Sequence, residues 1–280
     1  MNMEELFRLA GVAGWLHAID IDGGAEVSFR ADELVPIASV FKVPVLVELA
    51  RQADAGVLDP REPVTITKRT FGDTGVGAML DDATMSLRDL AYLMIAVSDN
   101  TSADAITASI GLESVNAMLD GFGLGKTRVI DDCEGLLTKI REDAGGEWPV
   151  VDPESLARLR ALNPLATNRS TPREITRLLS MIWRDEAASA EQCAWMRRLL
   201  GLQVWPHRLS SGFPYDDVAV SGKTGTLPTL RAEVGVVEYP DGGRYAVAVF
   251  TRSFSPALNQ PRADAVIGTA ARMAVDHLRG

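Results

Sequence analysis

The stretch Ser39-Val40-Phe41-Lys42-Val43-Pro44-Val45-Leu46-Val47-Glu48-Leu49-Ala50 decides how the chain is organised. Between positions 40 and 50 only Lys42 and Glu48 carry charge, so a helix here is apolar nearly all round and has to run through a core. An ammonium is out of place in such a helix, because lysine is almost never fully buried without partners. One alternative is a lysine whose stem is buried and whose head snorkels to water. The other is chemical. A spacing of three puts Ser39 and Lys42 on one helical face, a turn apart and within reach of one hydrogen bond, so Lys42 can take the Ser39 hydroxyl proton. For that its amine has to be neutral part of the time, a state that burial and a second nearby cation both favour.

Two further triplets follow in order, Ser98-Asp99-Asn100 and Lys223-Thr224-Gly225. Lys223 supplies the second cation. Ser39 at a helix start offers its backbone N–H to developing negative charge, which is half of an oxyanion hole. The other half is the backbone N–H of Thr226, where Gly225 lets a strand edge approach a ligand closely. Ser98 is placed to relay a proton to a leaving nitrogen, and Asn100 to orient a substrate amide and Lys42. Taken alone, Ser-Asp-Asn is also an ordinary helix-ending turn. The three together, on helix, loop and strand, read as acyl transfer through a serine.

Around these motifs the pattern is that of a split sheet with a helical insertion. Trp15, His17, Ile19 and Ile21 alternate with smaller residues, Asp22-Gly23-Gly24 offers a turn, and Glu26 to Arg30 returns antiparallel. Near the other end, Val218 to Val220 leads into the lysine triplet. Two β-rich runs follow, Glu233 to Tyr239 and Arg244 to Thr251, joined by Pro240-Asp241-Gly242-Gly243. Between the ends, Ser86 with Asp89 forms a capping box before Leu87, Leu90, Ala91, Met94 and Ile95, a helix that should stop just before Ser98. Thr171 caps another helix, with Pro172 and Glu174 in its first turn, and Ser189 with Gln192 begins a third. The last twenty residues make a terminal helix covering the sheet. The expected fold class is α/β (α+β), a five-stranded antiparallel sheet flanked by helices. Its sheet domain is 1–37 with 205–280, a helical domain is 38–204, and the site lies in the cleft between them.

Composition narrows the function. A net charge of −10 gives no general attraction to nucleic acid or anionic lipid, and neither is expected as a partner. The expected partner is a small-molecule substrate, and a monomer is expected. Two cysteines, Cys133 and Cys193, make no disulfide framework and no metal-ligand spacing, and no metal or organic cofactor is implied. Met1 to Ala10 lacks the features of a secretory signal, and no stretch reaches membrane-span length. As written, the chain is expected in the cytoplasm, or secreted or periplasmic if a signal has been removed. His17, His207 and His277 fit structural roles. Gly72, Gly75 and Gly77 read as a flexible wall of the cleft rather than a phosphate loop. The pairs Asp81-Asp82, Asp131-Asp132 and Asp216-Asp217 read as solvated turns.

At the three motifs the chain resembles the class A serine β-lactamases and the related penicillin-recognising peptidases. Ser170-Thr171-Pro172 opening a later helix, and Thr226 followed by two strands, resemble that family too, so the likeness covers nearly the whole chain. It implies opening of a β-lactam amide through an acyl-serine. In that reading Ser39 is the nucleophile, Lys42 the base and Ser98 the proton relay. Asn100, Lys223, Thr224, Gly225 and Thr226 contact the substrate, with Ser39 and Thr226 as oxyanion donors. Arg231 resembles the family's substrate-carboxylate anchor, with Arg208 its rival. A DD-peptidase, an esterase-like hydrolase and a stalled penicillin-binding sensor are the alternatives.

One departure stands out. The class A enzymes carry a glutamate, followed four residues later by asparagine, which activates the water that releases the acyl group. Here Leu162-Asn163 has Leu159 where that glutamate belongs. Glu134 is the leading substitute by its distance from Ser98, and Glu147 and Glu154 are the others.

Overall fold

The alternating runs at the two ends of the chain form one sheet in the computed structural model, which describes residues 1–72, 74–146 and 152–280. In chain order the strands are β1 (Val12–Asp20), β2 (Glu26–Phe29), β3 (Val35–Pro36), β4 (Pro63–Ile66), β5 (Ala83–Ser86), β6 (Arg169–Ser170), β7 (Ala219–Leu227), β8 (Leu230–Glu238) and β9 (Arg244–Ser253). Five of them make an antiparallel sheet in the order β2-β1-β9-β8-β7, as expected from the sequence. β3 pairs with β6 and β4 with β5 as two short ribbons.

The helices are α1 (Met3–Leu9), α2 (Lys42–Asp54), α3 (Leu87–Ala96), α4 (Asn100–Ile110), α5 (Leu112–Gly121), α6 (Cys133–Asp143), α7 (Pro153–Arg158), α8 (Pro172–Trp183), α9 (Ala190–Gly201) and α10 (Pro261–Arg279). Three caps read from the sequence are made. The side chains of Ser86, Thr171 and Ser189 accept from the backbone N–H of Asp89, Glu174 and Gln192, satisfying donors that the first helical turn leaves free. Among the described residues no helix is long and apolar enough to cross a membrane.

Alternation along β9 divides the core. Ala246, Ala248 and Phe250 face the helices between β2 and β7, and Tyr245, Val247 and Val249 face α1 and α10. The first of these clusters runs without a break from the sheet through α2, α3, α8 and α9. At its centre is α2, buried from Lys42 through Ala50. Each of its Val and Leu side chains contributes about 1.5–3 kcal/mol by leaving water. The all-round apolarity of that segment therefore places it between the sheet and the other helices, and fixes the residues at its start against the edge strand β7.

Candidate active site

Ser39 lies in a single 3₁₀ turn, Ala38–Phe41, that leads into α2. Residues three apart eclipse one another in such a turn, so Ser39 and Lys42 point the same way. Ala38 has φ 46° and Ser98 has φ 60°, left-handed values that cost a non-glycine residue about 1–3 kcal/mol and persist only where the surroundings enforce them. Both flank the chemistry.

Lys42 is fully buried and does not snorkel. Its Nζ donates to the Ser98 backbone oxygen at 2.7 Å, to Asn100 Oδ1 at 2.8 Å and to Ser98 Oγ at 3.3 Å. These three contacts use all the donors of an ammonium, so the expected direct bond to Ser39 Oγ is not made; the convergence of the Ser98-Asp99-Asn100 loop on the amine accounts for this. Lys223 is equally buried, and its Nζ donates to Ser98 Oγ at 2.9 Å and to the Thr224 backbone oxygen at 2.9 Å. Burial pulls the Lys42 amine below the ordinary lysine range, although Cys133, Asp99 and Asp104 oppose the shift. Burial lowers Lys223 well below that range too, the charge of Lys42 adds to the shift, and Glu233 opposes it.

The loop that carries Ser98 and Asn100 is held from behind by Asp99, which the sequence reading passes over. Its buried carboxylate accepts from the backbone N–H groups of Val76, Gly77 and Thr101 and from Ser102 Oγ. The glycine segment is therefore a pinned wall. A Cβ on Gly75, whose φ is +58°, would lie 2.7 Å from the Asp99 side chain. Asn100 is fixed at both ends, with Nδ2 donating to the Phe71 backbone oxygen at 3.0 Å.

Gly225 does what the sequence asks of it. A Cβ there would stand 2.9 Å from the Ile37 carbonyl oxygen and 3.1 Å from Val40 Cγ2, so only glycine lets β7 lie against the Ser39 turn. Between the turn, the Ser98 loop and β7 opens a cleft of about 320 Å³, lined by Ser39, Ser98, Asn100, Thr224 and Thr226 together with Gly72, Thr74, Val97, Trp205, His207 and Arg208. A second cavity of about 320 Å³ adjoins it, sharing Gly72, Asn100 and Thr226 and walled by Phe71, Leu137, Ile140, Leu227 and Leu258.

The two arginines separate clearly. Arg208 lines the cleft; its guanidinium donates to Thr226 Oγ1 at 2.9 Å, to the Gly225 and Ala232 carbonyls at 2.9 and 3.0 Å, and to Asp264 Oδ1 at 2.7 Å. Arg231 is not among the residues lining that cleft. It faces the adjoining cavity, and it donates to the Leu227, Leu230 and Leu258 backbone oxygens at 3.0, 2.9 and 2.6 Å. With these bonds it is a strut for the strand turn and the loop at Leu258.

None of the residues lining the cleft, among those described, is Asp or Glu. Glu134 is half-buried in the first turn of α6, where its backbone N–H donates to Asp104 Oδ2 at 3.0 Å. Glu154 is on the surface, paired with Arg158 at 2.8 Å. Glu147 lies outside the described residues. Cys133 and Cys193 are buried free thiols, and burial pushes the Cys133 thiol up to about 12, which leaves it unreactive. His17 is a buried structural histidine, 2.6 Å from Thr176 Oγ1 and 2.9 Å from Arg173 Nη1. His207 lines the cleft, 3.9 Å from Asp264 Oδ1. Of the aspartate pairs, Asp132 caps α6 and Asp131 pairs with Lys139 at 2.6 Å.

A split antiparallel sheet carrying a lysine on its edge strand, facing a serine-lysine turn and a serine-asparagine loop, is the architecture of the serine β-lactamases and their relatives. The family model described as the Beta-lactamase enzyme family matches residues 2–278, and the chain belongs to that family. It is 29% identical to the β-lactamase regulatory protein BlaB of Streptomyces cacaoi, covering 100% of this chain and 99% of that protein. It is 26% identical to the carbapenem-hydrolyzing β-lactamase KPC of Klebsiella oxytoca, over 94% of this chain and 83% of that one. Among solved structures it superposes on a β-lactamase from Sphaerobacter thermophilus with a TM-score of 0.79 at 24% identity, covering 96% of this chain and 93% of the other.

Proposed function

We propose that the protein is a serine acyl hydrolase of class A β-lactamase type, opening a β-lactam amide through an ester on Ser39. The observation that carries this reading is the pair of buried amines on one hydroxyl, Lys42 and Lys223 on Ser98 Oγ at 3.3 and 2.9 Å. Ser39 Oγ attacks the carbonyl carbon while the neutral amine of Lys42 takes its proton. The resulting oxyanion is met by the backbone N–H groups of Ser39 and Thr226, brought together by the close approach at Gly225. The carbon–nitrogen bond then breaks. Ser98 gives its proton to the leaving nitrogen and is reprotonated from Lys42. Asn100 orients the substrate amide, and Lys223 with Arg208 presents positive charge to a substrate carboxylate. The adjoining apolar cavity has room for an acyl side chain.

A second reading concerns release. No described carboxylate lines the cleft, and one relative bears the name of a regulatory protein. Both favour an acyl-serine that persists, as in a penicillin sensor. Labelling with a fluorescent penicillin tests both. Wild type labels and the Ser39→Ala variant does not; a label that decays over minutes marks a hydrolase, and one that stays marks a sensor. Equal labelling of the Ser39→Ala variant contradicts the proposal.

A further inference from the structure

Behind the cleft, and used in none of the steps above, Glu233 is a fully buried acid in the middle of the sheet. It lies on β8 opposite Thr224. Its two carboxylate oxygens take separate donors. Oε1 accepts from Gln203 Nε2 at 2.5 Å and Oε2 from the Leu209 backbone N–H at 2.6 Å. Gln203 in turn accepts the backbone N–H of Thr224 on its Oε1 at 2.7 Å.

This chain of bonds has a direction. Thr224 N–H can only donate, so the Gln203 amide has to present oxygen to it and nitrogen to Glu233. Residue 233 must then accept twice, from Gln203 and from Leu209. An ionised carboxylate does so on both oxygens, whereas a protonated one sets an O–H against a donor on one side. We propose that Glu233 is a positioning residue of the cleft: as a carboxylate, and through Gln203, it fixes the Thr224 N–H and with it the edge from Lys223 to Thr226 against the Ser39 turn. The inference rests on the acylation reading above. The charged groups that act on Glu233 are Arg208 beyond α9 and, more weakly, Lys223 on the neighbouring strand, and both favour the carboxylate, as do the two hydrogen bonds. Burial outweighs them and pushes its pKa up to about 7, so the proton that undoes the arrangement binds near neutrality.

The test is the pH dependence of acylation of the full chain by a fluorescent penicillin, for wild type, Glu233→Gln and Gln203→Ala. Wild type is expected to show a rate that rises through about pH 7 as Glu233 ionises. Glu233→Gln should lose that step and retain only the lysine limb, with a plateau about 10- to 100-fold lower, the scale of a small misplacement of reacting groups. Gln203→Ala, at a half-buried position, cuts the link between Glu233 and the Thr224 N–H, so it too should lose the step near pH 7 and show a lowered plateau. Loss of the step near pH 7 in both variants supports the proposal. Variants with lowered plateaus that keep the step near pH 7 overturn it in favour of simple packing, and unchanged rates overturn it outright. Wild type that labels at no pH contradicts the acylation reading, and this inference with it.

Discussion

Lys42 and Lys223 meet at one hydroxyl group, the Oγ of Ser98, at 3.3 and 2.9 Å from opposite sides of the cleft. Two ammonium ions in a dry site repel, and their protons belong to the pair. When Lys42 gives up a proton, its two remaining hydrogens can stay on the Ser98 and Asn100 carbonyl oxygens, which only accept, and the lone pair is left for the Ser39 proton that the proposed acylation transfers. The Ser98 hydroxyl continues to accept from Lys223. Burial lowers both amines, so the repulsion is relieved once either member of the pair gives up a proton.

Acylation should accordingly rise with pH along a limb below the free-lysine value of about 10.4. The rate needs a neutral amine, and burial lowers both amines, so neutrality is reached at lower pH than in solution. The unfolded chain keeps these amines protonated up to the ordinary range, so it binds more protons across that window, and stability should rise with pH there as well. Stopped-flow acylation and denaturant titrations across the window check both, and Lys42→Met should remove the kinetic limb.

Removing the shared hydroxyl isolates its part. Ser98→Ala is expected to lower the acylation rate by about 10²–10⁴-fold, the scale of lost proton transfer, with little change in the fold. Circular dichroism and labelling kinetics on the same sample separate the two effects.

Gly225→Ala places a methyl 2.9 Å from the Ile37 carbonyl oxygen, a backbone atom that cannot swing aside. The strand has to retreat from the Ser39 turn. Stability should fall by about 1–3 kcal/mol, as in overpacked cores, and acylation should fall further than stability alone accounts for. Urea unfolding and labelling rates measure the two losses.

Arg208 and Arg231 should fail in different ways. Arg208→Ala is expected to slow acylation by a carboxylate-bearing penicillin more than by a carboxylate-free activated ester, by about 1.5–3 kcal/mol or roughly 10- to 150-fold. Arg231→Met leaves the Leu227, Leu230 and Leu258 carbonyls without this donor, at about 1–3 kcal/mol for each one left unpaired, and should lower the melting temperature without that selectivity.

The sheet and five of the helices are legible in the chain because local signals and burial agree: alternation around Trp15, the apolar run of α2, side-chain caps at Ser86, Thr171 and Ser189, and the terminal apolar repeat of α10. The α4 helix is not, because Asp99-Asn100-Thr101-Ser102 reads as the end of one helix and is also the capped start of the next, with Asp99 accepting from Thr101 N–H. The short ribbons β3–β6 and β4–β5 are set by long-range pairing that leaves no pattern in two to four residues. At the site, spacing brings Ser39 and Lys42 to one face but says nothing of the loop that engages the amine. The part of Asp99 was readable in principle from its place inside the Ser-Asp-Asn triplet. The parts of Arg208 and Glu233 were not, since a guanidinium and a carboxylate in apolar surroundings reveal their partners only after folding.

The most direct test is intact-mass spectrometry of the protein mixed with benzylpenicillin and followed over time. The account predicts a species heavier by one benzylpenicillin, attached at Ser39 and absent from the Ser39→Ala variant. A wild-type mass that never changes, with the benzylpenicillin left intact, would contradict it.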